Sequence, residues 1–432
     1  MKNKIILSLS VMTLLSLGAQ AQSFEAIGYK AASMGGAGVA SSKNAMASYY
    51  NPALLAKPDR DVEIAVGVGV GVVDNGALES VNKLNDAGFS ALIDKANNNV
   101  ADLTLADVAT LSKSRDIVIG MNGEGVLATP DAYVSAQVGS FSVGVFGSVE
   151  TAGIAIADPA HNKLIFDDTA NSGLYVDIED LSNITITQGE YENTSLEYAV
   201  NNNLTYLRVD TLTLIEVPLS YGHAFDTGVG SLSVGGSLKF MQGTSYAGDV
   251  NVDTDSGNIE DILKDSEKKS SDIGIDVGLL YEPTFAEGLR VGLVGKNLNT
   301  PSFDRQIGGS IDIDPMIRMG VAYNIFESLE VAFDYDITKN DTLLASSIDT
   351  YQTQYLGGGV NWHPVTWASL RAGLMENQAS SYEGLIYTAG LAIGPEALQL
   401  DISAQMSSEE NEVDGDTYPR AARVNIALIS RW

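Results

Sequence analysis

Fourteen segments of this chain alternate between apolar residues and polar or small ones with a period of two. The clearest is residues 62–72, which has valine or isoleucine at every even position and Glu63, Ala65 or glycine between them. Alternation of this kind predicts strands with one apolar and one polar face. In chain order the predicted strands are 62–72, 132–138, 141–149, 215–225, 232–240, 273–281, 289–297, 317–323, 329–337, 356–362, 370–374, 387–393, 398–406 and 423–432.

The connections between these strands alternate strictly between long and short. An even-stranded membrane barrel has short turns on one side and long loops on the other, whereas a soluble sandwich has no reason to sort its loops in this way. The pattern therefore predicts an all-β fold, a transmembrane antiparallel β-barrel of about fourteen strands whose first strand runs outward. The long connections are 73–131, 150–212, 242–271, 298–315, 338–354, 375–385 and 407–421.

The strand at the C-terminal end has a terminal aromatic residue. Residues 423–432 place Ile426, Leu428 and Trp432 on one face and charged or amide side chains on the other. This arrangement resembles the assembly signal of bacterial outer-membrane barrels. The alternative is an ordinary edge strand at the end of a soluble domain.

The N-terminus has the features of an export signal. Lys2 and Lys4 precede the apolar run 5–17, and residues 19–21 read Ala-Gln-Ala, a small-x-small cleavage site. We expect residues 1–21 to be a signal peptide that is removed on export, because the apolar run is too short for a membrane helix. The domain organisation predicted is then signal peptide 1–21, an N-terminal hatch or plug segment 22–60, and a barrel 61–432.

The composition excludes several kinds of function. The formal net charge is −30, and the loss of Lys2 and Lys4 with the signal peptide makes it more negative by two. Such acidity argues against nucleic-acid binding, which needs basic residues. The chain has no cysteine, so disulfides, thiol chemistry and thiolate metal sites are excluded. We expect neither a metal nor a cofactor.

Aromatic residues lie on the apolar face of the predicted strands, close to their ends. Six of them lie next to short turns or the C-terminus, and four lie toward the opposite end. Aromatic girdles at both membrane interfaces are typical of barrels, although any single aromatic could simply pack in a core. The inner set is Phe141, Phe225, Tyr281, Tyr323, Trp362 and Trp432; the outer set is Phe240, Phe333, Tyr335 and Tyr387.

Charged residues of both signs lie on the opposite, lumen-facing side of the strands. They either line a pathway or form salt bridges that brace a plugged lumen. The lumen charges chosen as candidate site residues are Asp276, Arg290, Arg318, Asp334 and Arg371. The others are Glu63, Glu216, Lys239, Lys296, Glu330, Asp336 and Asp401.

The segment between the signal peptide and the first strand is rich in glycine and small residues. Its glycines Gly35, Gly36 and Gly38 suit a backbone that passes through a crowded space. The run is not a phosphate loop, because no Lys-Ser/Thr follows it. Its methionine, alanine and tyrosine content favours the barrel lumen over the periplasm.

Two motifs in this segment carry a family resemblance. Residues 34–40, Met-Gly-Gly-Ala-Gly-Val-Ala, and the later Asn51-Pro52-Ala53-Leu54 resemble the N-terminal hatch of the FadL family. That family comprises outer-membrane transporters of long-chain fatty acids and aromatic hydrocarbons. The resemblance implies fourteen strands and a hatch or gate formed by these residues.

Within this superfamily the chain is more similar to the TraF-like group, described as conjugal transfer proteins. The similarity lies in Asp74, in residues 78–86, 276–281 and 294–298, and in Pro301. It implies a non-enzymatic envelope protein associated with conjugal transfer or secretion. A thioredoxin-like protein shares the conjugation name, but the absence of Cys-x-x-Cys excludes that kinship.

Two external connections have helical spacing. Apolar residues recur three and four apart within 77–112, and 257–270 ends in Lys268 and Lys269. Such helices either cover an apolar ligand site or pack on the loops below them. The long connection 150–212 is rich in Asp and Glu, but no spacing resembles a calcium loop, so a solvated surface is the simpler interpretation.

Three functional hypotheses follow. The first is a hatch-plugged channel for uptake of small hydrophobic molecules, and the second is an envelope component with protein partners. The third is an outer-membrane hydrolase, which His161, His223 and His363 do not support because no serine partner is suggested. We expect a non-enzymatic monomer in the outer membrane of a Gram-negative bacterium, surrounded by lipid.

Overall fold

The computed structural model describes residues 24–180, 186–250, 264–306, 309–343, 351–413 and 415–432. The predicted signal peptide, residues 1–21, lies outside these ranges. So does the part of the second predicted helix that spans residues 257–263.

Fourteen antiparallel strands form one closed barrel, in which each strand pairs with its neighbours in the sequence. The predicted fold class is therefore confirmed. The barrel strands are Val62–Asp74, Gly125–Val138, Phe141–Ile156, Tyr206–Asp226, Gly230–Val250, Lys268–Pro283, Leu289–Lys296, Met316–Phe326, Leu329–Asp336, Tyr355–Val365, Ala368–Asn377, Leu385–Ile393, Gln399–Ser407 and Ala421–Arg431.

The last strand closes the barrel by pairing with the first. Its register runs from Ala421 opposite Val73 to Arg431 opposite Glu63. At the inner end, the backbone N–H of Trp432 donates to the carbonyl of Val62 at 3.0 Å. Closure leaves no open sheet edge, which is the condition for strands to cross a bilayer.

The apolar face of every barrel strand points outward. Valines 66, 68 and 70 of the first strand are exposed, and so are the outward-facing residues of the later strands. The aromatic girdle residues lie on this outer face, at least partly exposed. An exposed apolar band of this kind matches lipid rather than water. Among the described residues, no helix is long and apolar enough to cross a membrane.

Several strands are longer than predicted. The second begins at Gly125 rather than 132, and the fourth and fifth each have 21 residues. A tilted strand of about 10 residues suffices to cross a membrane, so the extra residues extend the barrel beyond the outer side of the membrane. The alternation fades there because no lipid faces these parts of the strands. The predicted connections 73–131 and 150–212 were therefore too long.

The first two external connections fold together as a cap. Helices Ala77–Asp86, Phe89–Asn98 and Leu105–Gly120 come from the first connection, and the last of these begins with a Thr104–Asp107 capping box. The second contributes the hairpin Ile165–Asp168 and Leu174–Asp177 and the helices Gln188–Thr194 and Leu196–Asn201. Phe89, Leu111, Leu164, Phe166 and Leu196 form the shared core of this cap.

The helix predicted within 77–112 is confirmed as three helices that continue to Gly120. The prediction for 257–270 is wrong at its end, because Lys268 and Lys269 begin the sixth barrel strand, Lys268–Pro283. Lys268 pairs with Ser245 and Lys269 with Thr244 of the neighbouring strand. Strand pairing therefore overrides local helix propensity here.

Three short hairpins complete the external side. They are Ser302–Asp304 with Ser310–Asp312, Asn340–Asp341 with Gln352–Thr353, and Glu410–Val413 with Asp416–Pro419. The first two fold into the barrel mouth, where Phe303, Ile311, Leu343 and Tyr351 are buried.

Residues 24–56, which we call the N-terminal segment, lie inside the barrel. The segment contains the 3₁₀ turns Ala31–Ser33, Asn44–Met46 and Pro52–Ala56 and the short helix Ala47–Tyr50. Nearly every residue from Phe24 to Leu55 is buried. The segment therefore occupies the lumen that the strands enclose.

Trp432→Asp should reduce the amount of folded barrel in the membrane. The charge itself costs about 1 kcal/mol or less at the interface, but the closing strand also loses its terminal aromatic. Leu105→Asp is the control, since Leu105 is 87% exposed on an external helix. Heat-modifiable mobility in detergent gels measures the folded fraction. Equal folded amounts of the two variants would contradict an assembly role for the terminal residue.

Candidate functional site: the N-terminal segment in the barrel lumen

Aromatic rings form the centre of the N-terminal segment. The rings of Phe24, Tyr49 and Tyr50 contact one another, and the Tyr50 centroid lies 5.8 Å from that of Phe24 and 5.0 Å from that of Tyr49. Tyr49 also contacts Phe146 of the barrel wall at 5.5 Å. The Tyr50 hydroxyl donates to the Ile27 carbonyl at 2.6 Å. The rings fill the lumen as a packed core rather than lining an open pore.

Asn51 joins two parts of the segment to the wall. Its side-chain amide donates to the carbonyls of Val39 at 3.0 Å and Leu279 at 3.1 Å, and its Oδ1 accepts from the Ala53 N–H at 3.0 Å. The last bond caps the turn Pro52–Ala56, which begins at proline. Pro52, Ala53 and Leu54 are all buried. The four predicted hatch residues therefore form one anchored turn.

The glycine run is anchored through its backbone. The Asp334 carboxylate accepts from the N–H groups of Gly38 at 2.8 Å and Val39 at 2.9 Å. The Gly35 N–H donates to Thr388 Oγ1 at 3.0 Å. Gly35 and Gly36 have φ values of 64° and 79°, which side chains rarely adopt. A Cβ on Gly38 would overlap the Tyr50 ring.

Three predicted lumen arginines connect the wall to carbonyl groups of the segment. Arg318 donates to the Phe24 carbonyl at 2.9 Å, Arg371 to that of Tyr29 at 3.0 Å, and Arg290 to that of Ala40 at 2.9 Å. Each also pairs with a carboxylate of the wall. These are Asp336 for Arg318, Asp401 for Arg371 and Glu330 for Arg290.

Asp276, the fifth predicted lumen charge, lies in a different network. It pairs with Lys239 at 3.1 Å, and Lys239 also pairs with Glu216 at 2.9 Å. The Asp276 carboxylate also accepts from the Asn297 N–H at 2.8 Å, and both of these partners lie outside the segment. The nearby Lys296 ammonium lies 3.7 Å from the centroid of the Tyr49 ring, so this network meets the segment through a cation–π contact.

Two further anchors are residues that the sequence analysis did not choose. Glu63 at the start of the first strand accepts from the Tyr29 hydroxyl at 2.6 Å and the Ala45 N–H at 3.2 Å, and it pairs with Arg431 at 2.6 Å. Arg423 pairs with Glu25 of the segment at 3.0 Å. Both lay on the predicted lumen face, but only the fold shows which group each one meets.

Glycines of the barrel wall are the second feature that sequence reasoning missed. A Cβ at Gly235 would overlap the backbone of Pro52, and one at Gly222 would lie 2.6 Å from the Ala56 nitrogen. On the other side, a Cβ at Gly373 would lie 2.5 Å from the Gly35 nitrogen. Further wall glycines in such contact with the segment are Gly278, Gly292, Gly357, Gly359 and Gly390. The sequence could have indicated these glycines, because all of them occupy lumen-facing positions of the predicted strands.

The outer side of the lumen is closed by the inward-folded hairpins. Leu343 and Tyr351 pack with Leu127, Ile154 and Ile311 across the barrel mouth. Between this layer and the N-terminal segment a small cavity of about 50 Å³ remains. In the described ranges, no group of three or more metal-ligating side chains is found.

The remaining predicted residues lie away from this site. Ile426, Leu428 and Trp432 are exposed on the outer face of the closing strand. His161 contacts Asp158 at 2.9 Å in the external cap. His223 lies between Tyr221 and Phe225 in the inner aromatic girdle.

Comparisons with known proteins give a family and a fold. A family model described as "F plasmid transfer operon, TraF, protein" matches residues 48–336. The toluene transporter TbuX of Ralstonia pickettii superposes with a TM-score of 0.50 at 13% identity, over 94% of this chain and 98% of that one. At this identity the likeness shows a shared barrel fold. No curated protein gives a significant sequence match.

Two other solved structures are similar at lower scores. The toluene transporter TodX of P. putida has a TM-score of 0.48 at 11% identity, over 95% of this chain and 99% of that one. A Pseudomonas aeruginosa FadL homologue has a TM-score of 0.45 at 11% identity, over 96% and 97% of the two chains.

Gly235→Val should displace the N-terminal segment, whereas Gly236→Val should not. Valine at 235 overlaps Pro52, and overpacking of this kind costs about 1–3 kcal/mol. At Gly236 the nearest atom to an added Cβ is the Asp276 carbonyl oxygen at 3.8 Å. The readout is trypsin cleavage at Lys30 and Lys43, whose side chains are only 19% and 14% exposed. Mass spectrometry identifies the cut.

Both variants should keep their heat-modifiable mobility, because strand pairing does not involve these side chains. If Lys30 and Lys43 are cleaved at the same rate in the two variants, the glycine contact does not hold the segment in place.

Proposed function

Since the chain belongs to the F plasmid transfer operon TraF protein family and forms a closed barrel with a filled lumen, we propose that it is an outer-membrane channel for small hydrophobic molecules. The N-terminal segment is its hatch. TbuX, whose fold it shares, is named a toluene transporter. The observation that carries the proposal is that residues 24–56 fill the lumen and contact the wall through non-covalent bonds.

The contacts of the segment support a gate rather than a permanent filling. Hydrogen bonds such as those from the Gly38 N–H to Asp334 and from Arg318 to the Phe24 carbonyl can break and reform, and no disulfide fixes the segment. The turns of the segment are short and mostly 3₁₀, a conformation that is less stable than an α-helix. Movement of one part can therefore open a path without unfolding the barrel.

The exposed apolar band and the export signal predicted over residues 1–21 support the outer membrane of a Gram-negative bacterium as the location. We infer a non-enzymatic protein that functions as a monomer. One closed barrel contains the whole proposed path, so no second copy is needed to complete it.

The family description supports a second candidate. In that case the chain is an envelope component associated with conjugal transfer or secretion, and protein partners bind it. The two candidates differ in what they require of the lumen. A channel needs the segment to move, whereas an assembly component needs only its surface loops.

Replacing Asn51 and Pro52 together by alanine should change permeation without unfolding the barrel. Loss of the Asn51 amide leaves the carbonyls of Val39 and Leu279 without this donor, at a cost of about 1–3 kcal/mol each. Cells carrying the variant should therefore change their uptake of toluene and leak small antibiotics. Asn202→Ala is the control, because Asn202 is exposed in the external cap and caps a helix there.

Parent-like uptake and leak in a correctly folded double variant, with lost capture of envelope proteins, would support the assembly candidate instead. Parent-like behaviour in every measurement would mean that the segment is a passive filling.

A further inference from the structure

The cavity above the N-terminal segment is lined by polar and by apolar side chains. The polar side chains include Glu25, Tyr351, Thr353, Tyr355, Glu383 and Arg423. Leu127, Met375 and Ile386 are among the apolar ones. The volume of about 50 Å³ has room for about four water-sized groups. A ligand that suits both kinds of side chain is amphipathic and small.

One buried carboxylate of this cavity is held by neutral donors. Glu383 accepts from the Tyr351 hydroxyl and, at 3.5 Å, from the Asn377 amide. Arg423 also lines the cavity, but it is paired with Glu25 at 3.0 Å and with Asp131. Among the described residues Glu383 forms no ion pair, and a buried carboxylate without a cationic partner favours a positively charged ligand.

The carboxyl groups of Glu25 and Glu383 both line the cavity. Glu383 lies in the external connection between the strands Ala368–Asn377 and Leu385–Ile393. Burial raises the pKa of its carboxyl, and the charge of Glu25 adds to this rise. A cation bound beside Glu383 would offset this rise.

Thr353 provides an independent indication of a ligand. Its side chain is 2% exposed and lines the cavity, yet within the described part of the chain its Oγ1 has no hydrogen-bond partner. A buried hydroxyl without a partner costs about 1–3 kcal/mol. A ligand with an N–H group could donate to this oxygen.

We propose that this cavity binds a small organic ammonium ion, with its nitrogen near Glu383 and Thr353 and its alkyl body against Leu127, Met375 and Ile386. This inference deepens the proposed function. It rests on that function in one respect, which is that the cavity lies on the proposed path through the lumen. It assigns the path an amine-binding site in addition to the hydrocarbon class suggested by the similar structures.

The test is isothermal titration of the full-length barrel in detergent with propylammonium, 1-propanol and propionate. The three probes share a propyl chain and differ in charge, and they partition weakly into micelles. We expect propylammonium to bind on the order of tenfold more tightly than 1-propanol, because one hydrogen bond becomes charge-assisted. Propionate should not bind.

Glu383→Gln and Thr353→Val should each weaken propylammonium binding, whereas Thr353→Ser should retain it. Glu412→Gln removes an exposed carboxylate of the hairpin Glu410–Val413 and should leave binding unchanged. Heat-modifiable mobility shows whether each variant folds. Because Glu383→Gln and Thr353→Val alter different residues, one of them still tests the site if the other does not fold.

The proposal is overturned if propylammonium binds no more tightly than propionate, or if folded Glu383→Gln and Thr353→Val bind it like Glu412→Gln. Toluene uptake by the parent is measured separately. Uptake without propylammonium binding rejects this site and leaves the channel in place, and binding without uptake rejects the channel instead.

Discussion

Pairing between the last strand and the first closes the sheet, and the same seam holds the N-terminal segment. Arg431 lies opposite Glu63 in the register of these two strands, and the pair forms an ion pair in the lumen. Glu63 also accepts from Tyr29 and Ala45 of the segment. Because a bilayer tolerates no open edge, closure is obligatory, and it brings this anchor together at the inner end of the barrel.

The barrel wall and the N-terminal segment complement each other in two ways, through hydrogen bonds and through shape. Arginines such as Arg318 and Arg371 donate to segment carbonyls as well as to wall carboxylates, so neither group is left buried without a partner. Lumen-facing glycines such as Gly235 and Gly373 give the segment backbone room to approach. Removing one member of a buried ion pair costs about 3–5 kcal/mol. The pairs therefore specify the position of the segment more than they add net stability.

The barrel could be predicted from the sequence because lipid imposes a period of two on one face of every strand. The lumen charges followed from the same parity. The ends of the long strands could not be predicted, because residues 125–131 face no lipid and their sequence does not alternate. The Arg423–Glu25 pair joins residues 398 positions apart, and no local pattern reports such a contact. The inward hairpin Asn340–Asp341 with Gln352–Thr353 has strands of two residues each, too short for any periodicity.

The segment is held at opposite walls, and for the hatch that we propose this limits how it would open. Gly235 lies on the fifth of the fourteen strands and contacts Pro52, whereas Gly390 lies on the twelfth and contacts Ser33. Strands seven positions apart in a fourteen-stranded barrel face each other across the lumen. Expulsion of the whole segment would uncover both contact surfaces and every arginine anchor at once. Release at one wall breaks only the contacts on that side, so a path past the Phe24 and Tyr50 rings opens at lower cost when the other wall keeps its hold.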